Sequence, residues 1–177
     1  MCTPSTGPSL RRTNVPTVSA VGDLIPTLQL AHVGFGEGIL VAERVAGLNP
    51  APIDYAGVPR ITYSDPEVAS VGLTEAQAKE KYGEVTSLNY DLAGNGRSQI
   101  LKTTGAVKLI QAHDGPVVGI HMVGSRVGEL IAEAQLIYNW EAEADDVAGL
   151  IHPHPTQSEA LGEAHLALAG KPLHVHG

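Results

Sequence analysis

Residues 152–156, His-Pro-His-Pro-Thr, restrict the backbone of this chain more tightly than any other run in it. A proline bars the α region to the residue before it, so His152 and His154 are both expected on extended backbone. Side chains alternate along such backbone, which would send the two imidazoles to one side and Pro153 to the other. Thr156 and Glu159 then stand at capping-box spacing, followed by Ala160, Leu161, Ala164 and Leu168 at helical spacing. Gly170 and Pro172 end that helix. Glu159 is thereby placed in the first turn, within reach of the loop that carries the histidines.

Three kinds of chemistry suit this pattern. In a capping box, Thr156 is the N-cap and Glu159 bonds back to its backbone. In a metal site, His152 and His154 would be joined by Glu159 or His165. No cysteine or further histidine follows at zinc-ligand spacing, so no metal is expected. In an acid/base pair, a carboxylate beside an imidazole fixes its tautomer and stabilises the imidazolium, which is how a general base is built. Spacing alone does not choose between capping and catalysis, and one carboxylate is able to serve both.

The rest of the chain reads as α+β, an antiparallel sheet with helices. Strands are expected over 60–63, 67–73 and 86–92, and a short helix opens at Thr74 with Gln77 completing a capping box and Gly83 closing it. Residues 106–112 and 117–123 form the clearest hairpin, with Val118, Ile120 and Met122 on one face and His121 on the other. Residues 93–96, Ala-Gly-Asn-Gly, read as a turn. The strongest helix spans 126–140, with Val127, Leu130, Ile131, Ala134 and Tyr138 as its buried stripe and Leu136 and Trp140 on another side. A helix apolar on two sides packs against two things, one of which is expected to be a partner subunit.

Before residue 50 the pattern differs. Residues 1–12 are polar, broken by Pro and Gly, and read as a disordered leader. A strand is expected over 17–21, ending at Gly22-Asp23, and a helix over 27–46. Gly34, Gly36 and Gly38 follow no strand and do not match a dinucleotide fingerprint; they are expected to let the helix approach its neighbours closely. Residues 46–52 read as a linker, which divides the chain into 1–12, 13–50 and 51–177.

Residues 152–160, with Gly162-Glu163-Ala164-His165 and the Leu168-Ala169-Gly170-Lys171-Pro172 tail, resemble the C-terminal end of dihydrolipoamide dehydrogenase. That family belongs to the flavin-dependent pyridine nucleotide–disulfide oxidoreductases, and the likeness runs from about Thr13 to Gly177. It implies that residues 51–177 form the dimerisation domain and 13–50 a strand–helix remnant of the FAD-binding α/β domain. It implies that His154 is the base, that Glu159 orients it, and that the pair serves the flavin and disulfide of the other subunit. Asp23 would accept hydrogen bonds from the ribityl hydroxyls of FAD, with Gln29, Leu30, Ala31 and His32 close to the flavin ring. NAD would be the electron acceptor. The implied partners are a second copy, a missing N-terminal half or full-length paralogue, and a 2-oxo acid dehydrogenase complex.

The sequence departs from that pattern in having one cysteine, Cys2, and hence no redox pair. It also lacks both glycine fingerprints, so it reads as starting inside a larger protein and is not expected to turn over alone. A non-catalytic dimerisation module is the alternative. A net charge of −8 without a basic run argues against nucleic acid or an anionic membrane as partner. With no spanning apolar run and no signal-peptide pattern, the cytoplasm is the expected location.

Overall fold

The computed structural model describes residues 13–174. The expected disorder of 1–12 and the end of the histidine-bearing tail at His176 lie outside the described residues. The chain divides into two compact units, one ending at Tyr55 and the other beginning at Ala56.

In the first unit the strand expected over 17–21 does not form. Thr13 N–H donates to the Val18 carbonyl at 3.0 Å and Val18 N–H to Val15 at 3.0 Å, so the segment closes on itself. An extended segment needs a neighbouring strand to take up its backbone groups, and none of the described residues before Ala56 forms one. A 3-10 turn follows at Gly22–Leu24, and helix α1 runs over Ala31–Val45. The expected helix start at 27 is displaced, because the chain bends through 25–27 and stays extended to Leu30. Buried Glu37 ties these pieces together: its carboxylate accepts from Gly22 N–H at 2.6 Å, Thr27 Oγ1 at 3.0 Å and Tyr55 OH at 2.6 Å. Of the three α1 glycines, Gly34 does sit against backbone; a Cβ there would stand 3.5 Å from Gly22 Cα.

The second unit is built on a five-stranded antiparallel sheet in the order β1-β2-β5-β4-β3. Its strands are β1 (Arg60–Thr62), β2 (Glu67–Gly72), β3 (Val85–Asp91), β4 (Gly105–Ala112) and β5 (Val117–Gly124). Helix α2 (Glu75–Tyr82) lies between β2 and β3 in the chain and opens on the expected Thr74–Gln77 capping box. Lys108 on β4 and Lys79 hold the Glu75 carboxyl down at about 2, through hydrogen bonds and charge. Helix α3 (Gly96–Leu101) occupies what reads in sequence as a plain turn and its flank. Helices α4 (Val127–Asn139), α5 (Ala144–Ala148) and α6 (Glu159–Leu168) follow the sheet.

One face of the sheet carries the main core. Val71, Leu109, Ile120 and Met122 pack there with Val127, Ile131, Ala134 and Ile137 of α4 and Ala160, Leu161 and Ala164 of α6. Each such Val, Leu or Ile contributes about 1.5–3 kcal/mol when fully buried. The opposite face holds a smaller cluster of Ala78, Ile110, Ala112 and Val118. Val118 therefore does not share a face with Ile120 and Met122. The register shifts between Ile110 and Gln111, and the extra residue on β5 reverses the alternation. Gly72 (φ +82°) pairs with Gly119 across β2 and β5; a Cβ at Gly72 would strike the Val118 carbonyl and Tyr138. On α4 the buried residues are Val127, Ile131, Ala134 and Ile137, with Leu130 and Tyr138 partly covered. Leu136 and Trp140 stay exposed, at 47% and 75%.

Candidate functional site

The loop between α5 and α6 holds the histidines. Its backbone bends at 154–155, and the two imidazoles meet different carboxylates, Glu133 for His152 and Glu159 for His154. The His152 side chain is 11% exposed and the His154 side chain 76% exposed.

His154 Nδ1 lies 2.8 Å from Glu159 Oε1. The other oxygen, Oε2, accepts from the Thr156 N–H at 2.8 Å. One carboxylate thus reaches both the ring and the loop backbone. The Thr156 hydroxyl takes no part in capping the helix: it donates to the Pro153 carbonyl at 2.6 Å and lies 2.9 Å from Ser158 Oγ. The helix has Ser158, not Thr156, at its N-cap, with a tight first turn in which Ala160 N–H bonds to Gln157 and Leu161 N–H to Ser158. Burial opposes the Glu159 charge. The Thr156 N–H, the His154 ring and the nearby His152 outweigh it and hold the carboxyl below its ordinary range.

Chemically, an imidazole whose Nδ1–H donates to a carboxylate leaves Nε2 as an exposed acceptor. That is the arrangement of a general base. The ring lies beside Gly96, where a Cβ would stand 3.7 Å from His154 Cε1.

Three further residues hold this loop and are not singled out by the sequence reading. His152 Nε2 lies 2.7 Å from Glu133 Oε1 on α4. The Asn95 side chain donates to the Thr156 carbonyl at 3.0 Å while accepting from Ser98 N–H. Buried Gln157 donates to the Ser125 carbonyl at 3.0 Å. The available signal for Glu133 is its place on the shoulder of an apolar helical stripe, between Leu130 and Ile137. His165 is fully buried, with Nδ1 2.7 Å from the Leu161 carbonyl. No group of three or more metal-ligating side chains converges among the described residues.

In the first unit, Asp23 and Gln29 are exposed, the latter just before α1, and Leu30 is its N-cap. Ala31 and His32 open the helix and are likewise exposed. Asp23 sits in the 3-10 turn whose Gly22 N–H is held by Glu37.

Residues 58–165 match the family model for the pyridine nucleotide-disulphide oxidoreductase dimerisation domain. The chain belongs to this family. Pyridine nucleotide-disulphide oxidoreductase relatives named dihydrolipoyl dehydrogenase align along nearly the whole chain. One from Bacillus subtilis is 43% identical over 93% of the chain and 35% of its own length. A mitochondrial one from Arabidopsis thaliana is 39% identical over 92% of the chain and 32% of its own length. The chain therefore spans about a third of the length of these relatives. The crystal structure of LpdA from Mycobacterium tuberculosis superposes with a TM-score of 0.84 at 23% identity, covering 91% of this chain and 36% of that one, and shares the fold. The antiparallel sheet with helices expected from sequence is the dimerisation-domain fold of this family.

Proposed function

We propose that this chain is the interface and base-bearing portion of a dihydrolipoyl dehydrogenase. His154 Nε2 takes the proton from a dihydrolipoamide thiol, and Glu159 orients the ring and stabilises the imidazolium. The thiolate so formed is the nucleophile for thiol–disulfide exchange. FAD, when bound, supplies the electron acceptor beside that disulfide, with NAD as final acceptor; Asp23 and the Gln29–His32 segment would hold its ribityl chain and ring edge. The observation that carries the reading is the Nδ1-tethered, outward-facing His154 imidazole on Glu159. The location proposed is the cytoplasm.

A second copy is the proposed partner, and a 2-oxo acid dehydrogenase complex the proposed setting. The dimer face proposed is Leu136 and Trp140 of α4 with Leu150 and Ile151, a reading supported by their exposure, 62% and 98% for the last two, immediately before His152. The alternative reading is a non-catalytic module that pairs with itself or a full-length paralogue, for which the exposed Leu136, Trp140, Leu150 and Ile151 would serve equally.

Subunit complementation separates the two. A full-length family enzyme whose own base histidine has been replaced is mixed with this chain under conditions of subunit exchange. Lipoamide reduction that returns with the chain, and is lost with His154→Ala, supports the base-bearing reading. Heterodimers without activity point to the pairing module. By itself the chain is expected to be colourless and to form no NADH from dihydrolipoamide.

A further inference from the structure

We propose that Glu133 and His152 form a clasp that positions His154, making both of them positioning residues for the base. The inference rests on the reading of His154 given above. The His154 side chain is 76% exposed, and among the described residues its one hydrogen-bonded side-chain partner is Glu159. Its placement is therefore set by the backbone on either side. On the C-terminal side, Thr156 is held by Asn95, Glu159 and the Pro153 carbonyl. On the N-terminal side only Pro153 separates His154 from His152, and its ring fixes φ near −65°. The direction in which the chain leaves His152 thus determines where His154 stands.

His152 is anchored on two helices. Its Nε2 donates to Glu133 Oε1 on α4 at 2.7 Å, with the two side chains 11% and 31% exposed. A hydrogen bond to a carboxylate partly withdrawn from water is among the stronger kinds. The other edge of the ring seats on α6 at Gly162, where a Cβ would come within 2.5 Å of Nδ1 and 2.9 Å of Cε1. Glycine inside a helix costs about 1 kcal/mol relative to alanine. Here it admits the imidazole. The two histidines also use opposite nitrogens, Nε2 toward Glu133 and Nδ1 toward Glu159, so each carboxylate holds its own ring.

The test uses the whole chain with ¹⁵N-labelled histidine, reading the His154 tautomer by NMR and the exchange rate of the Thr156 amide. Glu133→Ala is expected to mix the His154 tautomers and speed Thr156 exchange about tenfold. Glu133→Gln, which keeps an acceptor at the same reach, is expected to restore most of both. Gly162→Ala is the second variant. Its Cβ would crowd the His152 ring, so a purely structural role predicts lower stability with the His154 tautomer unchanged, whereas the clasp predicts the same tautomer mixing as Glu133→Ala. Glu129→Ala, on an exposed part of α4, serves as control. Unchanged His154 and Thr156 signals in both Glu133→Ala and Gly162→Ala overturn the clasp. If Glu159→Gln nevertheless mixes the tautomers, the base pair stands without it. If Glu159→Gln also changes nothing, the pairing itself fails, and the clasp with it.

Discussion

Glu159 holds His154 with one carboxylate oxygen at 2.8 Å and keeps the other for the loop's own backbone. The same group is therefore both the brace of the loop and the orienting partner of the ring. Replacing Glu159 with Gln preserves the reach to the Thr156 N–H and removes the charge. In the complemented enzyme described above, lipoamide turnover is expected to fall by about 10²-fold or more, the usual worth of a positioned acid/base group, with flavin content unchanged. Steady-state kinetics with a flavin absorbance check decides it.

The same carboxylate gives the chain an acid-sensitive element. Its folded-state pKa is depressed below the ordinary 4.5. The associated stability is present above that ordinary value and is lost as pH falls through the folded-state pKa. Urea unfolding at pH 6 and pH 3.5 is expected to show a smaller loss in Glu159→Gln than in the unaltered chain.

His165 acts in a higher pH range. Burial, aided by His152, pushes its pKa below 6.5, outweighing the Leu161 carbonyl bond and Glu133, which act the other way. The unfolded chain takes up this proton first. The stability that comes from keeping the ring neutral is complete above about pH 6.5 and is lost as pH falls from there through the folded-state pKa. Among the described residues His165 Nε2 has no hydrogen-bond partner, so a charged ring would be poorly compensated. His165→Leu is expected to flatten stability between pH 7 and 5, as read by thermal unfolding.

Gly72 and Gly119 let β2 and β5 approach beneath Tyr138. Gly72→Ala combines a φ of +82° with a collision at the Val118 carbonyl. A loss of about 2 kcal/mol or more is expected in chemical denaturation. Gly83→Ala is the comparison, because a Cβ there meets nothing within 4 Å although φ is +80°. It should cost less.

Trp140 and Ile151 are expected to carry self-association. Exposed aromatic and aliphatic side chains of this size are the usual centres of an interface. Trp140→Ser and Ile151→Ser should each weaken dimer formation about tenfold or more in sedimentation equilibrium, with little change in the unfolding of the monomer. A chain that stays monomeric at tens of micromolar (about the range in which a weak dimer forms) would remove this surface from consideration.

What the sequence determined by itself are the features governed by local backbone periodicity. The hairpin of β4 and β5, the Thr74–Gln77 capping box, the α4 stripe and the reach of Glu159 back to His154 all join residues close in the chain. Their geometry follows from turns of fixed pitch. Tertiary structure decided what depends on distant neighbours. The 17–21 segment is β-prone yet forms no strand, because a strand is completed by a partner and not by its own residues. Val118 changes faces because one extra residue on β5 is absorbed opposite Gln111, which alternation within β5 cannot register. Glu133 meets His152, Asn95 meets Thr156, and Gln157 meets Ser125 only after α4, α3 and the end of β5 have stacked around the α5–α6 loop. Local spacing placed the His154 ring beside the Glu159 carboxylate. The packing of helices on the sheet chose which side chains hold that loop, since such contacts are set by how whole elements dock and not by any repeat within one of them.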